Sequence, residues 1–117
     1  MELNELEYLV VDWAKEKGIL EKATPFTQHS KTLEEVEELS EALAAKEDGQ
    51  ETFVNIKGIS VNTDHEIKDA IGDIMVTLII QAKMNGYSIK DALEMAYNTI
   101  SKRKGKMVDG VFVKDGD

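Results

Sequence analysis

Apolar residues recur every three to four positions in four stretches of the chain, the spacing of a helix that buries one face. The predicted helices run from about Leu3 to Lys17, from Thr24-Pro25 to about Lys46, from Thr63 to Asn85-Gly86, and from Ser88 to the basic cluster Lys102-Arg103-Lys104. Capping residues mark their starts: a threonine precedes the proline of the second helix, and capping-box patterns open the last two. The pattern predicts an all-α fold, a bundle of four to five helices.

Two stretches lack the helical spacing. Residues 53–61 alternate weakly between apolar and polar side chains, which indicates a short strand or an ordered loop. From Met107 to Val113, an Asp109-Gly110 pair separates apolar residues, and this pattern predicts a small C-terminal β-hairpin. Because the 117-residue chain has no internal repeat and no Pro/Gly-rich linker, we expect residues 1–117 to form a single domain.

Acidic side chains on the third predicted helix share a face with apolar ones. At about 100° per residue, Glu66, Asp69 and Asp73 lie within roughly 60° of one another. The same face continues through Val76 and Ile80 toward packed protein. Carboxylates rarely lie in a core without a partner, and two of them roughly 6 Å apart repel by about 3 kcal/mol at an effective dielectric constant of about 20. We therefore expect a positive group among them, and a hard divalent cation suits such ligands.

The second predicted helix is rich in glutamate. Glu35 and Glu38 are one turn apart and can converge on one cation, and Lys31 lies four residues before Glu35 on the same side. A solvated acidic face is the other interpretation of such a run. We expect the remaining glutamates of this helix, Glu34, Glu37 and Glu41, to form that face, and Leu33, Val36, Ser40 and Leu43 to form the core stripe.

The composition limits which metal and which classes of partner can be expected. The chain has no cysteine and only two histidines, His29 and His65, so oxygen ligands favour Mg²⁺, with Mn²⁺ possible. A net charge of −9 argues against a nucleic acid or an anionic membrane as partner. The acidic, amphipathic start does not resemble a signal peptide, and the longest apolar run, Ile74 to Ile80, is too short to span a bilayer. We expect a cytoplasmic protein.

Together, the two acidic helices resemble the MazG-like nucleoside triphosphate pyrophosphohydrolases. The shared residues are Gln28-x-x-Lys31-x-x-Glu34-Glu35-x-x-Glu38-Leu39, then Asp69-Ala-Ile-Gly-Asp73-Ile74. The family signature is Glu-Glu-x-x-Glu followed by Glu-x-x-Asp on the next helix, and the first half matches in full. In the second half, Ala70 stands where the family usually has glutamate. Asp69 and Glu66 lie on the same face and are candidates to replace it, so the number of bound metals stays open.

The resemblance implies a bundle of the MazG-like type that hydrolyses a nucleoside or deoxynucleoside triphosphate to the monophosphate and pyrophosphate, using Mg²⁺. It also implies that homodimers or homotetramers form. A glutamate not fully committed to the metal can take the proton of the attacking water, and we expect this general base to be Glu35 or Glu38. We expect the metal ligands to be Glu35, Glu38 and Asp73, together with Asp69 in place of the family's glutamate. The candidate substrate-binding residues are Gln28, His29 and Lys31 on the second helix, with Asn98, Lys102 and Arg103 late in the last one.

Two other functions stay open at this point. Phosphoribosyl-ATP pyrophosphohydrolase shares the fold and the acidic motif, although the long connection over residues 49–62 and the C-terminal hairpin favour the MazG-like branch. A non-catalytic helical protein that mimics the charge of a nucleic acid would also be strongly acidic. The mimic needs exposed, dispersed carboxylates, whereas the enzyme needs Glu38 and Asp73 buried and convergent.

Overall fold

A computed structural model of the protein describes residues 1–116, which form five α-helices and two antiparallel β-hairpins. The all-α prediction with a C-terminal hairpin is confirmed. The elements in chain order are α1 (Leu3–Glu16), α2 (Ile19–Lys22), α3 (Pro25–Glu47), β1 (Thr52–Val54), β2 (Ser60–Asn62), α4 (Thr63–Met84), α5 (Ile89–Ile100), β3 (Gly105–Val108) and β4 (Val111–Lys114).

The helix starts follow the sequence signals with one shift. The Thr24 side chain accepts a hydrogen bond from the Thr27 backbone N–H and so caps α3, and Ser88 caps α5 in the same way. The predicted capping box at Thr63 is wrong. Asn62 caps α4 by accepting from the His65 N–H, while the Thr63 hydroxyl donates to the Gln50 carbonyl in the connection between α3 and β1.

Helices α3 and α4 form an antiparallel pair at the centre of the fold. At one end, Gln81 on α4 donates to the carbonyl of Pro25, the first residue of α3. At the other end, Lys46 near the end of α3 pairs with Asp64 in the first turn of α4, at 3.1 Å. Three buried alanines allow the two backbones to approach closely: Ala42, Ala45 and Ala70.

The predicted core stripe of α3 is wrong. Leu33, Val36 and Leu43 are each at least 40% exposed, and Ser40 is exposed as well. The side of α3 that packs on α4 is instead marked by the buried residues Gln28, Glu35, Ala42 and Ala45. Because α4 takes the polar, small-residue side, the larger apolar side chains remain on the outer surface of the chain.

The C-terminal hairpin has the predicted turn. Val108 pairs with Val111, and the two turn residues between them, Asp109 and Gly110, have φ of 50° and 80°. Positive φ at both positions is typical of the type I′ turn that an Asp-Gly pair favours. The last helix is shorter than predicted, because α5 ends at Ile100 and the basic residues 102–104 lie in the connection to β3.

The chain is more open than a domain of its length usually is. Its radius of gyration is 17.0 Å, whereas about 13 Å is typical of a compact domain of this size. Every residue of α5 beyond Lys90 is exposed, and so are both strands of the C-terminal hairpin. Across residues 1–116, no helix is long and apolar enough to cross a membrane.

Candidate metal centre and active site

Three carboxyl groups converge between α3 and α4. Glu35, Glu38 and Asp73 each offer an oxygen, and these three oxygens lie within 4.8 Å of one another. The two glutamates are one turn apart on α3, so both project from the same side, and the antiparallel packing sets Asp73 of α4 opposite them. Such a group of hard oxygen donors is suited to a divalent cation such as Mg²⁺.

The carboxylates continue a row of polar contacts between α3 and α4, here called the polar seam, which begins near the start of α3. The Gln28 side chain donates to the Thr77 carbonyl at 3.2 Å, and the Thr32 hydroxyl donates to the Thr77 hydroxyl at 2.9 Å. One turn further along each helix, the seam reaches Glu35 and Asp73. Buried polar groups therefore hold the two helices together on one side of the cluster, and they fix its geometry.

Glu35 is the member of the cluster that is least accessible to solvent. The residue is 8% exposed, and its Oε2 is buried without a hydrogen-bond partner among the described residues. Its Oε1 lies 3.4 Å from the Lys31 ammonium, which also contacts Glu34 at 3.2 Å. A buried, unpaired carboxylate oxygen costs free energy, and a cation within the cluster would remove that cost.

The pKa shifts of the cluster indicate that its carboxylates have too little positive charge around them. Burial raises the pKa of Glu35, and the adjacent Glu38 carboxyl group and the charge of Asp73 raise it further. Burial also raises the pKa of Asp73, with further contributions from Asp69 and Glu38. Lys31 opposes both shifts without cancelling them. Its own pKa is raised, first by its hydrogen bond to Glu34.

A cleft of about 340 Å³ opens above the cluster. Asp69 is exposed on its edge, outside the group of three converging oxygens, and Glu66 lines the wall. The opposite wall belongs to the β1–β2 hairpin, which contributes Phe53, Asn55, Ile56, Lys57, Ile59 and Val61. The cleft therefore has an acidic floor and a mixed wall of apolar and polar residues.

Within residues 1–116, the fold places only one of the candidate substrate-binding residues in this cleft. Lys31 lines the cleft. Gln28 is buried in the helix seam, where its amide is engaged with the Thr77 carbonyl, so the structure gives it a packing role. The others are exposed and do not line this cleft within the described chain; they are His29, Asn98, Lys102 and Arg103.

Two cleft contacts were not anticipated from the sequence. Glu41, predicted to belong to the solvated face, lines the cleft and accepts a hydrogen bond from the Ile56 N–H at 3.0 Å. Lys57 reaches to 3.7 Å from the Glu38 carboxylate. The weak alternation over residues 53–61 indicates a strand or loop, but it carries no signal that this segment folds back onto α3.

Comparison with known families agrees with the acidic motif. Residues 23–108 match the model of the MazG nucleotide pyrophosphohydrolase domain, and this match covers most of the chain. The chain belongs to the MazG nucleotide pyrophosphohydrolase domain family. The matched region contains the converging carboxylates and the β1–β2 hairpin, and it ends within the C-terminal hairpin.

A phage protein is similar to this MazG-family chain. It is an "Uncharacterized 18.2 kDa protein in rep-hol intergenic region" of Haemophilus phage HP1 (strain HP1c1), 31% identical over 84 residues. The alignment covers 72% of this chain and 42% of that protein, so the chain spans less than half the length of its relative. No solved structure matches the chain.

Ala70 is where this MazG-family chain departs from the glutamate usual in the motif. The residue is buried in the α3–α4 seam, and the carboxylate that converges with the α3 glutamates comes from Asp73. Asp69 and Glu66 line the cleft nearby. The described residues therefore bring together one compact group of three ligands.

Proposed function

We propose that this chain hydrolyses a nucleoside or deoxynucleoside triphosphate to the monophosphate and pyrophosphate, with Mg²⁺ as the metal and Mn²⁺ as a possible replacement. The observation that carries the proposal is the buried, unpartnered Oε2 of Glu35 within a group of three converging carboxylates. Membership of the MazG family supports the same reaction class.

The ligands proposed for the metal are Glu35, Glu38 and Asp73, and one ion fits this group. Asp69, on the cleft edge, is proposed to complete the site from the α4 side. All four groups are carboxylates, and hard oxygen donors favour Mg²⁺ or Mn²⁺ over zinc. When bound, the ion neutralises phosphate charge and lowers the pKa of a water molecule, which makes that water a nucleophile near neutral pH.

Glu38 is the better-placed candidate for the general base. Its side chain is 35% exposed and reaches the open cleft, whereas the Glu35 side chain is 11% exposed. A base must reach the proton that it removes, so access to the cleft matters first. Glu35 then serves mainly as the buried ligand, and Lys31 holds it in place through their ion pair.

The burial of Glu35 also separates this proposal from the charge-mimic function. A protein that imitates a nucleic acid presents its carboxylates to a basic partner, so it gains nothing from burying one without a hydrogen bond. Glu34 and Glu37 are exposed, whereas Glu38 and Asp73 converge with Glu35 as the enzyme requires but are only partly buried, so Glu35 is the buried member of the group. Phosphoribosyl-ATP remains a substrate to be included in the assay.

We infer that a second copy of the chain covers the outer apolar surface, giving a homodimer or homotetramer. Leu33, Val36 and Leu43 on α3 are exposed, as are Leu93 and Tyr97 on α5. Large exposed apolar surfaces usually mark protein contacts, and the open shape of the single chain leaves room for one. In such an assembly, Asn98, Lys102 and Arg103 of a neighbouring copy would be available to bind the triphosphate.

The test is a product analysis. The protein is incubated with each common NTP and dNTP and with phosphoribosyl-ATP, in the presence of Mg²⁺, and products are resolved by anion exchange. The proposal expects monophosphate with pyrophosphate from at least one NTP or dNTP, and no products after EDTA is added. Release of orthophosphate, or turnover that survives the chelator, would contradict it.

A further inference from the structure

The β1–β2 hairpin has a turn that its own hydrogen bonds hold in shape. The Asn55 side chain accepts from the backbone N–H groups of Lys57 and Ile59, both at 3.0 Å. The Asn55 N–H donates to the Ile59 carbonyl, and Gly58 takes the positive φ of 79° that the turn requires. The position of Lys57 at the tip is therefore set by the backbone.

This turn is also attached to the acidic helix. The Ile56 N–H donates to Glu41 on α3 at 3.0 Å, and the Lys57 ammonium lies 3.7 Å from the Glu38 carboxylate. Among the described residues, the cleft is lined by two cations, Lys31 and Lys57. Lys31 already contacts two glutamates, whereas Lys57 makes one loose ion pair and its side chain is 68% exposed.

We propose that Lys57 is a phosphate-binding residue of this cleft. In this structure its ammonium pairs with Glu38; if a divalent ion were held by that carboxylate, the ammonium would be available to bind a non-bridging oxygen of the triphosphate. The inference rests on the proposed function, because it assigns a ligand to the same cleft. It adds a binding residue from the hairpin, outside the acidic motif.

The physical basis is a change of partner over a short distance. The lysine ammonium is a compact charge on a flexible four-carbon stem, so it can reach a new anion within the cleft while the backbone turn stays in place. An exposed ion pair of this kind contributes little to folding stability. Replacing Lys57 is therefore expected to leave the fold intact, which allows binding to be measured directly.

The test compares Lys57→Met with Lys46→Met, a matched control. Lys46 also pairs with one carboxylate, that of Asp64, and is similarly exposed, but it lies outside the acidic cleft. Calorimetry measures the binding of Mg²⁺ alone and of inorganic tripolyphosphate with Mg²⁺, and kinetics give kcat and KM for the preferred nucleotide. Tripolyphosphate is used because it reports phosphate recognition without a base.

We expect Lys57→Met to weaken tripolyphosphate binding and raise KM by about tenfold or more, the loss of one charge-assisted contact. Its affinity for Mg²⁺ alone should stay the same or increase, since Glu38 loses a competing cation. Lys57→Arg should retain most of the binding, and Lys46→Met should match the wild type in every measurement.

Two results would overturn the assignment, and they are distinguishable. If the wild type binds tripolyphosphate and hydrolyses a nucleotide while Lys57→Met behaves within about twofold of it, Lys57 is not a phosphate ligand and the proposed function stands. If the wild type neither binds tripolyphosphate nor hydrolyses any nucleotide, the proposed function fails and the role of Lys57 fails with it.

Discussion

Glu35 lies at the point in the polar seam between α3 and α4 where the side chains cease to have hydrogen-bond partners on the other helix. Higher in the seam, Gln28 and Thr32 both have partners on Thr77, whereas Oε2 of Glu35 has none within residues 1–116. Burial and the neighbouring carboxyl groups raise the pKa of Glu35, so the fold favours the protonated form more than the unfolded chain does. A divalent cation reverses that preference because it binds the ionised form.

The stability of the metal-free protein should therefore depend on pH through Glu35. A carboxyl group whose folded pKa lies above its ordinary value of 4.5 stabilises the fold below that value, and this contribution is lost as pH rises through the folded pKa. Glu35→Gln keeps the shape and removes the titration. At about pH 7 we expect its Tm to exceed that of the wild type by about 4 °C, equivalent to about 1 kcal/mol.

The gap in Tm between the two proteins should close as the pH falls through the folded pKa of Glu35 and below 4.5, because the wild-type carboxyl group then takes up its proton. Thermal melting followed by circular dichroism in EDTA measures this, with Glu37→Gln on the exposed side of the same helix as the matched control. A gap that stays constant from neutral to acid pH would count against the buried, unpaired charge.

At the scale of the elements, the sequence predicts what lies along each helix better than which side meets a neighbour. Helical spacing alone puts Glu35 beside Glu38, and it puts Asp69 and Asp73 on one face. The predicted packing face of α3 is wrong. Hydrophobicity favours the side that carries Leu33, whereas α4 packs against small and polar residues. Close approach through Ala42 and Ala70 depends on both helices together, and one helix pattern does not show it.

Gln28 illustrates the same limit and gives a prediction. The sequence motif assigns it to the substrate, but the structure buries it with its amide on the Thr77 carbonyl. We expect Gln28→Leu to destabilise the fold by about 1 kcal/mol through the lost hydrogen bond, with KM changed less than twofold. Denaturant unfolding and steady-state kinetics check this, and Glu37→Gln, at an exposed position of the same helix, is the comparison. A large rise in KM at unchanged stability would restore the substrate role.

At the scale of the whole molecule, the single chain leaves much of its apolar surface uncovered. Within residues 1–116, the only large apolar side chains that are buried are Ile79 and Ile80, and the radius of gyration exceeds that of a typical compact domain by several ångströms. The β1–β2 hairpin reaches α3 through contacts between residues that are distant in the sequence, and α5 stays exposed because no residue of it is buried against the other helices. Residue spacing carries no information about such contacts, so neither was predictable.

The uncovered surface predicts self-association. Light scattering after size exclusion should give a mass two or four times the 13.1 kDa of one chain. Leu33→Asp combined with Leu43→Asp should shift the protein toward the monomer and lower its activity, since charges would be placed in the contact. Glu37→Lys, also on the exposed surface of α3, serves as a control for a change of charge. A monomeric wild type with full activity would contradict this.

The most direct test of the central claim is pyrophosphate release from the preferred nucleotide in Mg²⁺, measured for the wild type, Asp73→Asn and Glu38→Gln. Asp64→Asn, an exposed aspartate at the start of the same helix as Asp73, is the matched control. If the three carboxylates hold the catalytic metal, both cluster variants lose more than about a hundredfold in rate, Mg²⁺ no longer raises their Tm, and the control keeps its activity. Near-normal pyrophosphate release from either cluster variant would contradict the account.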